Sequence, residues 1–528
     1  MTMKVLIADK VDPGCRTILE GRGLVADENT GLAPPQLLQV IGEYDGLIVR
    51  SSTNVTEELI GAARRLRVIG RAGTGVDNID VGAATRRGVV VTNTPGGNSV
   101  SAAELAFGML MSLARDIPQA TASLKGGEWN RSSYTGVELA AKTIGVVGLG
   151  KIGREVVQRS VAFRMKVLGY DPFVSEEAAN SFGAQLSSIE EVLENSDFIT
   201  LHLPLTSQTE HFISDEQLSQ CKDGVLLINC ARGGIIDEAA VVRALDSGKV
   251  GGAAFDVFEQ EPPQNSALVN HERVICTPHL GASTREAQVN VALQVAEQVG
   301  EILTDRIIRN AVNVPSVEPE VYSKLRPFLD LAERLGRIHA QLSEGQLERI
   351  TIEYLGDVTN QPTPPLTAAV LKGIMEAISD EPVNFVNAPI FAQERGISVD
   401  ERRSSEHEDF TSLVSVTYHT DVSSRILCGT IFGKSDPRIV RLDEYDFDAV
   451  PEGHMLFYEN ADVPGVIGKV GTIMGSHQVN IAQMTCGRHE VGGRALTILN
   501  VDSAIPDPVL ADLRSEDYIT WAKPVSLE

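Results

Sequence analysis

The sequence predicts an α/β protein in which two doubly wound parallel-sheet lobes precede an α+β domain and a small βαββαβ domain. Three observations carry that expectation. Over the N-terminal half, short apolar runs alternate with helical stretches, the pattern of strands buried on both faces and joined by crossover helices. In mid-chain a glycine turn, Gly148-Leu149-Gly150-Lys151-Ile152-Gly153, follows one apolar run and precedes another. Past Pro315 the strand-like runs begin to follow one another directly, which marks an α+β arrangement. At 528 residues the chain is also too long for one hydrophobic core.

Taken in order, strands are expected near 5–8, 46–49, 68–69 and 89–91, with helices near 15–21, 56–63 and 81–87 between them. Pro95-Gly96-Gly97 breaks this pattern. A helix over 102–114 should follow, with Ser101 and Glu104 spaced as a capping box. The second unit opens with a strand at 143–147 and continues with strands near 198–203, 225–229, 252–257 and 274–277. A long helix near 284–303 is expected to carry the chain back onto the first unit, making that unit discontinuous and leaving a cleft between two lobes. Three consecutive strands are expected at 413–418, 425–432 and 439–445. The last segment reads as strand, helix, hairpin, helix, strand, the ferredoxin-like order. The expected limits are 1–97 with 284–315, then 98–283, 316–450 and 451–528.

Composition narrows the function classes. The net charge of −25 argues against nucleic acid and anionic membranes as partners. It also means that an anionic substrate needs local basic residues at its site, which screening over about 8–10 Å permits. No apolar run approaches the roughly 18–20 residues of a membrane span. The N-terminal apolar stretch is too short for a signal peptide and meets Asp9 at once. The six cysteines are scattered without a CxxC pair, which suits thiols in a reducing cytoplasm and gives no metal site.

The glycine turn carries the first chemistry. Gly148 allows the tight turn, Gly150 lets the backbone approach a pyrophosphate, and Gly153 permits close helix–strand packing. Amide groups at the helix start then bind the phosphates, with Lys151 and Ile152 beside them. Asp171, after the next apolar run, is placed to accept from the ribose hydroxyls and to repel a 2′-phosphate, so the expected cofactor is NAD. This is a Rossmann-like fingerprint in its proper context. Three residues then sit just past later strands of the same unit: Arg232, Glu261 and His279. Ligands bind beyond the carboxyl ends of such strands, so all three can face one crevice, with Cys230, Asp256 and Gly281 alongside the cofactor. Oxidising a 2-hydroxy acid requires a proton acceptor, which histidine supplies near neutral pH. A carboxylate on its other nitrogen fixes the tautomer, and arginine grips the substrate carboxylate at two points.

These motifs resemble the D-isomer-specific 2-hydroxyacid dehydrogenases. Gly148–Gly153, Asn229-Cys230-Ala231-Arg232-Gly233 and Thr277-Pro278-His279 match that family's signatures, and the resemblance covers roughly residues 4–315. It implies that Arg232, Glu261 and His279 are the catalytic residues. The remaining chain resembles a long, serine-synthesising branch of the family, with an intervening allosteric substrate-binding domain and a terminal ACT domain. That likeness implies 3-phosphoglycerate as substrate, L-serine as effector and a homotetramer. Arg50, Ser51, Arg71, Gly73 and Asn98 lie in loops that resemble the branch's substrate loops, Arg50 and Arg71 being the local positive charges. Asp462 and Asn480 would hold serine, one at its ammonium and the other across an interface. Where some members carry an aromatic residue two places before that aspartate, this chain has Asn460. A hydroxypyruvate or glyoxylate reductase is a rival, though those usually end near residue 315. A non-catalytic NAD(H) sensor of the same fold is a second rival.

Overall fold

The protein is described here by a computed structural model covering residues 2–305, 307–315, 317, 319–379, 381–406 and 409–528. The first sheet is parallel throughout, in the order Val25–Glu28, Lys4–Ile7, Gly46–Val49, Val68–Arg71, Val90–Thr92. Val25–Glu28 was not expected: it is a four-residue edge strand with one buried side chain, too polar to announce itself. The three inner strands Lys4–Ile7, Gly46–Val49 and Val68–Arg71 are almost wholly buried, as their apolar runs require.

The second sheet is also parallel, ordered Val274–Cys276, Val250–Phe255, Val225–Asn229, Phe198–Leu201, Thr143–Val147, Lys166–Tyr170, Gln185–Leu186. The chain winds one way from Thr143–Val147, then returns to lay Phe198–Leu201 on its other side. The crevice opens at that reversal, beyond the carboxyl ends. Two helices link the lobes. Ser99–Ala114 leaves the first, and Arg285–Thr304 returns to it, burying Val291, Val295 and Val299 in the core with Val5, Ile48 and Val68. Thr284 caps the second helix through the Ala287 amide, a bond worth about 1 kcal/mol. The expected capping box at Ser101 is absent, because the helix begins a turn earlier with Asn98 as its N-cap residue. Ser101 lies inside the helix and meets Thr284 Oγ1 at 2.7 Å, while Glu104 pairs with Arg159.

The α+β part is a six-stranded sheet, Ser398–Ser404, Leu347–Gly356, Ser412–Thr420, Ser424–Phe432, Asp436–Leu442, Tyr445–Ala449, covered by the helices Pro319–Leu342 and Pro364–Ile378. It docks on the first lobe. Asn384 Nδ2 donates to the Gly88 carbonyl at 2.8 Å, and Val386 enters the first lobe's core. A cavity of about 760 Å³ lies at this junction, away from the glycine turn. The terminal sheet follows the βαββαβ order, with strands arranged Ile481–Arg488, Arg494–Val501, His454–Ala461, Ile519–Ser526. Its Met455, Phe457, Leu496, Ile498 and Val525 share a core with Leu331, Leu335 and Ile338 of the preceding domain. Among the described residues no helix is long and apolar enough to cross a membrane.

Candidate active site

The glycine turn is built as its spacing requires. Gly148 has φ +96°, and a Cβ there would press on the His202 carbonyl oxygen at 2.7 Å. A Cβ on Gly153 would strike the carbonyl oxygen of Gly148. Gly150 N-caps the helix Lys151–Ala162, and a Cβ there would meet nothing within 4 Å, so its open side admits a pyrophosphate against the helix start. Asp171 accepts from the Leu149 amide at 2.9 Å and the Phe173 amide at 2.9 Å. Each oxygen keeps a lone pair for a ribose hydroxyl. These features fit NAD. Lys151 reaches across to the first lobe, its Nζ donating to the Pro95 carbonyl at 2.9 Å, while Ile152 packs partly buried against the core of its own, second lobe.

Past the strand Val225–Asn229, buried Asn229 shapes the loop that presents Arg232. Its Oδ1 accepts from the Ala231 amide at 3.1 Å and its Nδ2 donates to the Arg232 carbonyl at 3.0 Å. Cys230 is buried with its sulfur against Met109 Sδ at 3.6 Å, and burial pushes its thiol far up. Gly233 lets this loop touch the next, since a Cβ there would collide with the Phe258 carbonyl. Glu261 then stands beside His279, with Oε2 2.7 Å from Nδ1, and its Oε1 accepts from the Phe258 amide at 3.1 Å.

Asp256 supports the histidine loop. It is fully buried, and three donors of the histidine loop occupy it: Thr277 Oγ1 at 2.6 Å, the Leu280 amide at 2.7 Å and the Gly281 amide at 2.8 Å. It is the post on which the His279 loop hangs. His279 itself sits at φ +53°, its amide bonded to the Asp256 carbonyl at 2.8 Å. The hydrogen bond to Glu261 raises the His279 pKa against the opposing effect of burial, with Glu261 charge adding to it. Burial pushes the Glu261 carboxyl up, but the hydrogen bond and charge of His279, the Phe258 amide and Arg232 hold it below its ordinary value. An ionised carboxylate only accepts, so Nδ1 carries the hydrogen and Nε2 is left as the basic nitrogen.

On the first lobe, loops from three strand ends are laced together. Buried Asp9 accepts from the Arg50 amide at 2.6 Å and from Thr53 Oγ1 at 2.8 Å. Asn78 Nδ2 donates to the Arg50 carbonyl at 2.7 Å and the Thr53 carbonyl at 2.6 Å. Asn98 Oδ1 accepts from Thr74 Oγ1 at 2.8 Å, which spends its side-chain oxygen on the loop. Gly73 has φ +153°, and a Cβ there would strike the Arg71 guanidinium. Ser51 is exposed at the tip of the Arg50 loop. Arg71 Nε is buried without a hydrogen-bond partner. Burial lowers the Arg71 pKa, and the charges of Arg232 and Arg50 lower it further. Arg50, Arg71 and Arg232 thus form one basic group, with Arg232 also acting on His279 and Glu261.

Comparison with known proteins gives the family. D-3-phosphoglycerate dehydrogenase of Synechocystis is 44% identical over 525 residues, covering 99% of this chain and 95% of that protein. The chain belongs to the D-3-phosphoglycerate dehydrogenase family. The family member of Bacillus subtilis is 42% identical, with 99% of each chain covered. Three domain families match: the D-isomer specific 2-hydroxyacid dehydrogenase NAD binding domain at 107–281, the D-3-phosphoglycerate dehydrogenase intervening domain at 324–443, and the ACT domain at 454–517. An NAD+-bound 3-phosphoglycerate dehydrogenase from Entamoeba histolytica superposes with a TM-score of 0.51 at 31% identity, over 60% of this chain and all of that one. The protein is an NAD-dependent oxidoreductase.

In the ACT domain of this family member, the two expected effector residues are not brought together within one chain. Ala461 pairs with Arg494 at one end of the sheet, and Asp462 follows it there. Asn480 bonds Asp502 Oδ2 at 2.7 Å at the other end, where His454 pairs with Val501. Seven residues of strand separate those ends, about 23 Å at 3.3 Å per residue. The Asp462 carboxylate is also engaged already, by Arg488 Nη1 at 3.2 Å and the Gly492 amide at 3.1 Å. Asp9, Asn78 and Asp256 were missed as fastenings because their partners lie in distant loops. A buried acid just past a strand is the one local signal that Asp9 and Asp256 share.

Proposed function

We propose that this protein oxidises D-3-phosphoglycerate to 3-phosphohydroxypyruvate with NAD, the first step of L-serine biosynthesis. One observation carries the reading: an acidic chain gathers Arg50, Arg71 and Arg232 beside a His–Glu pair, leaving Arg71 Nε buried and unpartnered. A substrate with a carboxylate at one end and a phosphate at the other uses such a group in full. Arg232 takes the carboxylate and orients the carbinol, while Arg50 and Arg71 take the phosphate, with Ser51, Gly73 and Asn98 in the loops around them. His279 Nε2 accepts the hydroxyl proton, and Glu261 stabilises the imidazolium that results. NAD, when bound, accepts the hydride. Residues 1–97 with 284–315 carry the substrate, 98–283 the cofactor, 316–450 form the intervening domain and 451–528 the ACT domain. Purified protein given 3-phosphoglycerate and NAD at alkaline pH should form NADH; no turnover would overturn the reading.

The ion pair fixes the pH dependence. Oxidation needs neutral His279, so kcat/KM for oxidation rises with pH through the histidine pKa, which Glu261 holds above the ordinary value. Reduction needs the protonated form and falls through the same pKa. In Glu261→Gln both limbs move to lower pH, and kcat drops by about tenfold or more as the tautomer is freed. pH–rate profiles in both directions read this, and coincident limbs for the two proteins would refute it.

Serine regulation is part of the same proposal, supported by the ACT match and by the solvent-facing loop at Asp462. Because Asp462 and Asn480 lie at opposite ends of one sheet, a shared serine site takes Asp462 from one copy and Asn480 from another. Exposed apolar side chains on the NAD lobe, Ile117, Leu124, Trp129 and Val137, support further pairing of copies, as a homotetramer. Serine is expected to lower activity in the native protein and to leave Asn480→Ala unaffected; titration with sedimentation measures both, and equal inhibition of the two would remove Asn480 from the site.

A further inference from the structure

Arg232 stands on the NAD lobe, yet its guanidinium is held from the first lobe. Its Nε lies 3.2 Å from Asp77 Oδ2, and Nη1 donates to the carbonyl of its own neighbour Ala231 at 2.6 Å. Nη2 lies over the first-lobe loop: a Cβ on Gly75 would strike it, and would also fall 2.6 Å from Asp77 Oδ2. The loop of Asp77 is firmly placed, since its neighbour Asn78 is bonded to the Arg50 loop and the Val55 amide donates to the Asn78 carbonyl at 2.8 Å. Asp77 is largely exposed, and its one ion pair among the described residues is with Arg232.

Asp77 meets the Nε edge of the guanidinium while the Ala231 carbonyl holds Nη1, so Arg232 is fixed from both lobes at once. Asp77 also offsets a like-charge cluster. The Arg232 and Arg50 charges press on Arg71, and Asp77 acts on Arg71 in the opposite sense. Asp9 acts on Arg71 in the same sense, and of the two only Asp77 is in ion-pair contact with Arg232.

We propose that Asp77 is a positioning residue for the catalytic arginine: it aligns Arg232 from the opposite lobe, so that the carboxylate clamp is complete only when the cleft is closed. The inference rests on the dehydrogenase reading above. It makes closure part of substrate selection. A ligand that brings the lobes together gains an aligned Arg232, whereas one that binds the NAD lobe alone meets an arginine free to swing. Such alignment matters because a displacement of about 1 Å at a reacting group can cost about 100-fold in rate.

The test is a double-mutant cycle of Asp77→Ala and Arg232→Ala, with Asp77→Glu as the conservative variant. In the native background Asp77→Ala should lower kcat/KM for 3-phosphoglycerate about 10–100-fold, with kcat contributing to the loss. NADH affinity, followed by fluorescence, should stay within about twofold, because the glycine turn is untouched. Asp77→Glu should recover part of kcat. With Arg232 already removed, Asp77→Ala should have little further effect. An undiminished effect in the Arg232→Ala background would make Asp77 a loop-stabilising residue and overturn the proposal. So would native kinetics in Asp77→Ala. Absence of turnover in the unaltered protein is a separate result, and would count against the dehydrogenase reading.

Discussion

His279→Asn should abolish most of the turnover while leaving the protein folded and able to bind NADH. The expected loss in kcat is about 10²–10⁴-fold, the usual contribution of a positioned general base. Asparagine is the informative replacement because the backbone at this residue has φ +53°, a left-handed conformation that asparagine adopts more readily than alanine does. The loop should therefore keep its place on Asp256, whose bonds to Thr277, Leu280 and Gly281 do not involve the imidazole. What disappears is the basic Nε2 opposite the Nδ1–Glu261 bond. The acid limb of the oxidative pH profile should disappear with it, since that limb is the titration of this ring. A variant that kept kcat within about tenfold, or kept the limb, would move the proton acceptor elsewhere.

The second large effect is expected at Arg232. In the role proposed for Arg232, truncation to alanine removes a charge-assisted grip on the substrate carboxylate, and kcat/KM should fall by about 100–1000-fold, the equivalent of about 3–4 kcal/mol. Lysine should recover little of this. Its single ammonium cannot reproduce a two-nitrogen fork, nor can it satisfy Ala231 and Asp77 while facing the cleft. The loss should appear with 3-phosphoglycerate and not in NADH binding, so steady-state kinetics beside a fluorescence titration separate the two. Full rescue by lysine would reduce the arginine to a simple positive charge.

Much of the fold was legible because it is written in local patterns. Buried strands such as Gly46–Val49 and Phe198–Leu201 are continuous apolar runs, and the Gly148–Gly153 spacing has one stereochemical use. Val25–Glu28 escaped because an edge strand needs little apolar surface. The start of Ser99–Ala114 escaped because tertiary contacts, including Ser101 with Thr284, outweighed a local capping signal. The pairing of His279 with Glu261 was legible from residue type and position past a strand. Its supports were not: Asp256 holds the histidine loop through three donors that lie more than twenty residues along the chain, and Asp77 meets its partner from another lobe. Asp462 and Asn480 are close in sequence and far apart on the sheet, since a helix and a strand register intervene.

The anchorage of the C-terminal half has a mechanical consequence. Asn384 and Val386 fasten it to the lobe that bears Arg50 and Arg71, and its own sheet shares a continuous core with the terminal domain. The two C-terminal units therefore form a lever arm riveted to a single jaw of a vice. Torque applied at the far end of that arm is expected to turn the jaw that bears Arg50 and Arg71 before it disturbs the jaw that bears the glycine turn. A signal delivered there is expected to register in the Michaelis constant for the hydroxy acid, or in the speed of jaw closure, well before it registers in the hold on NAD.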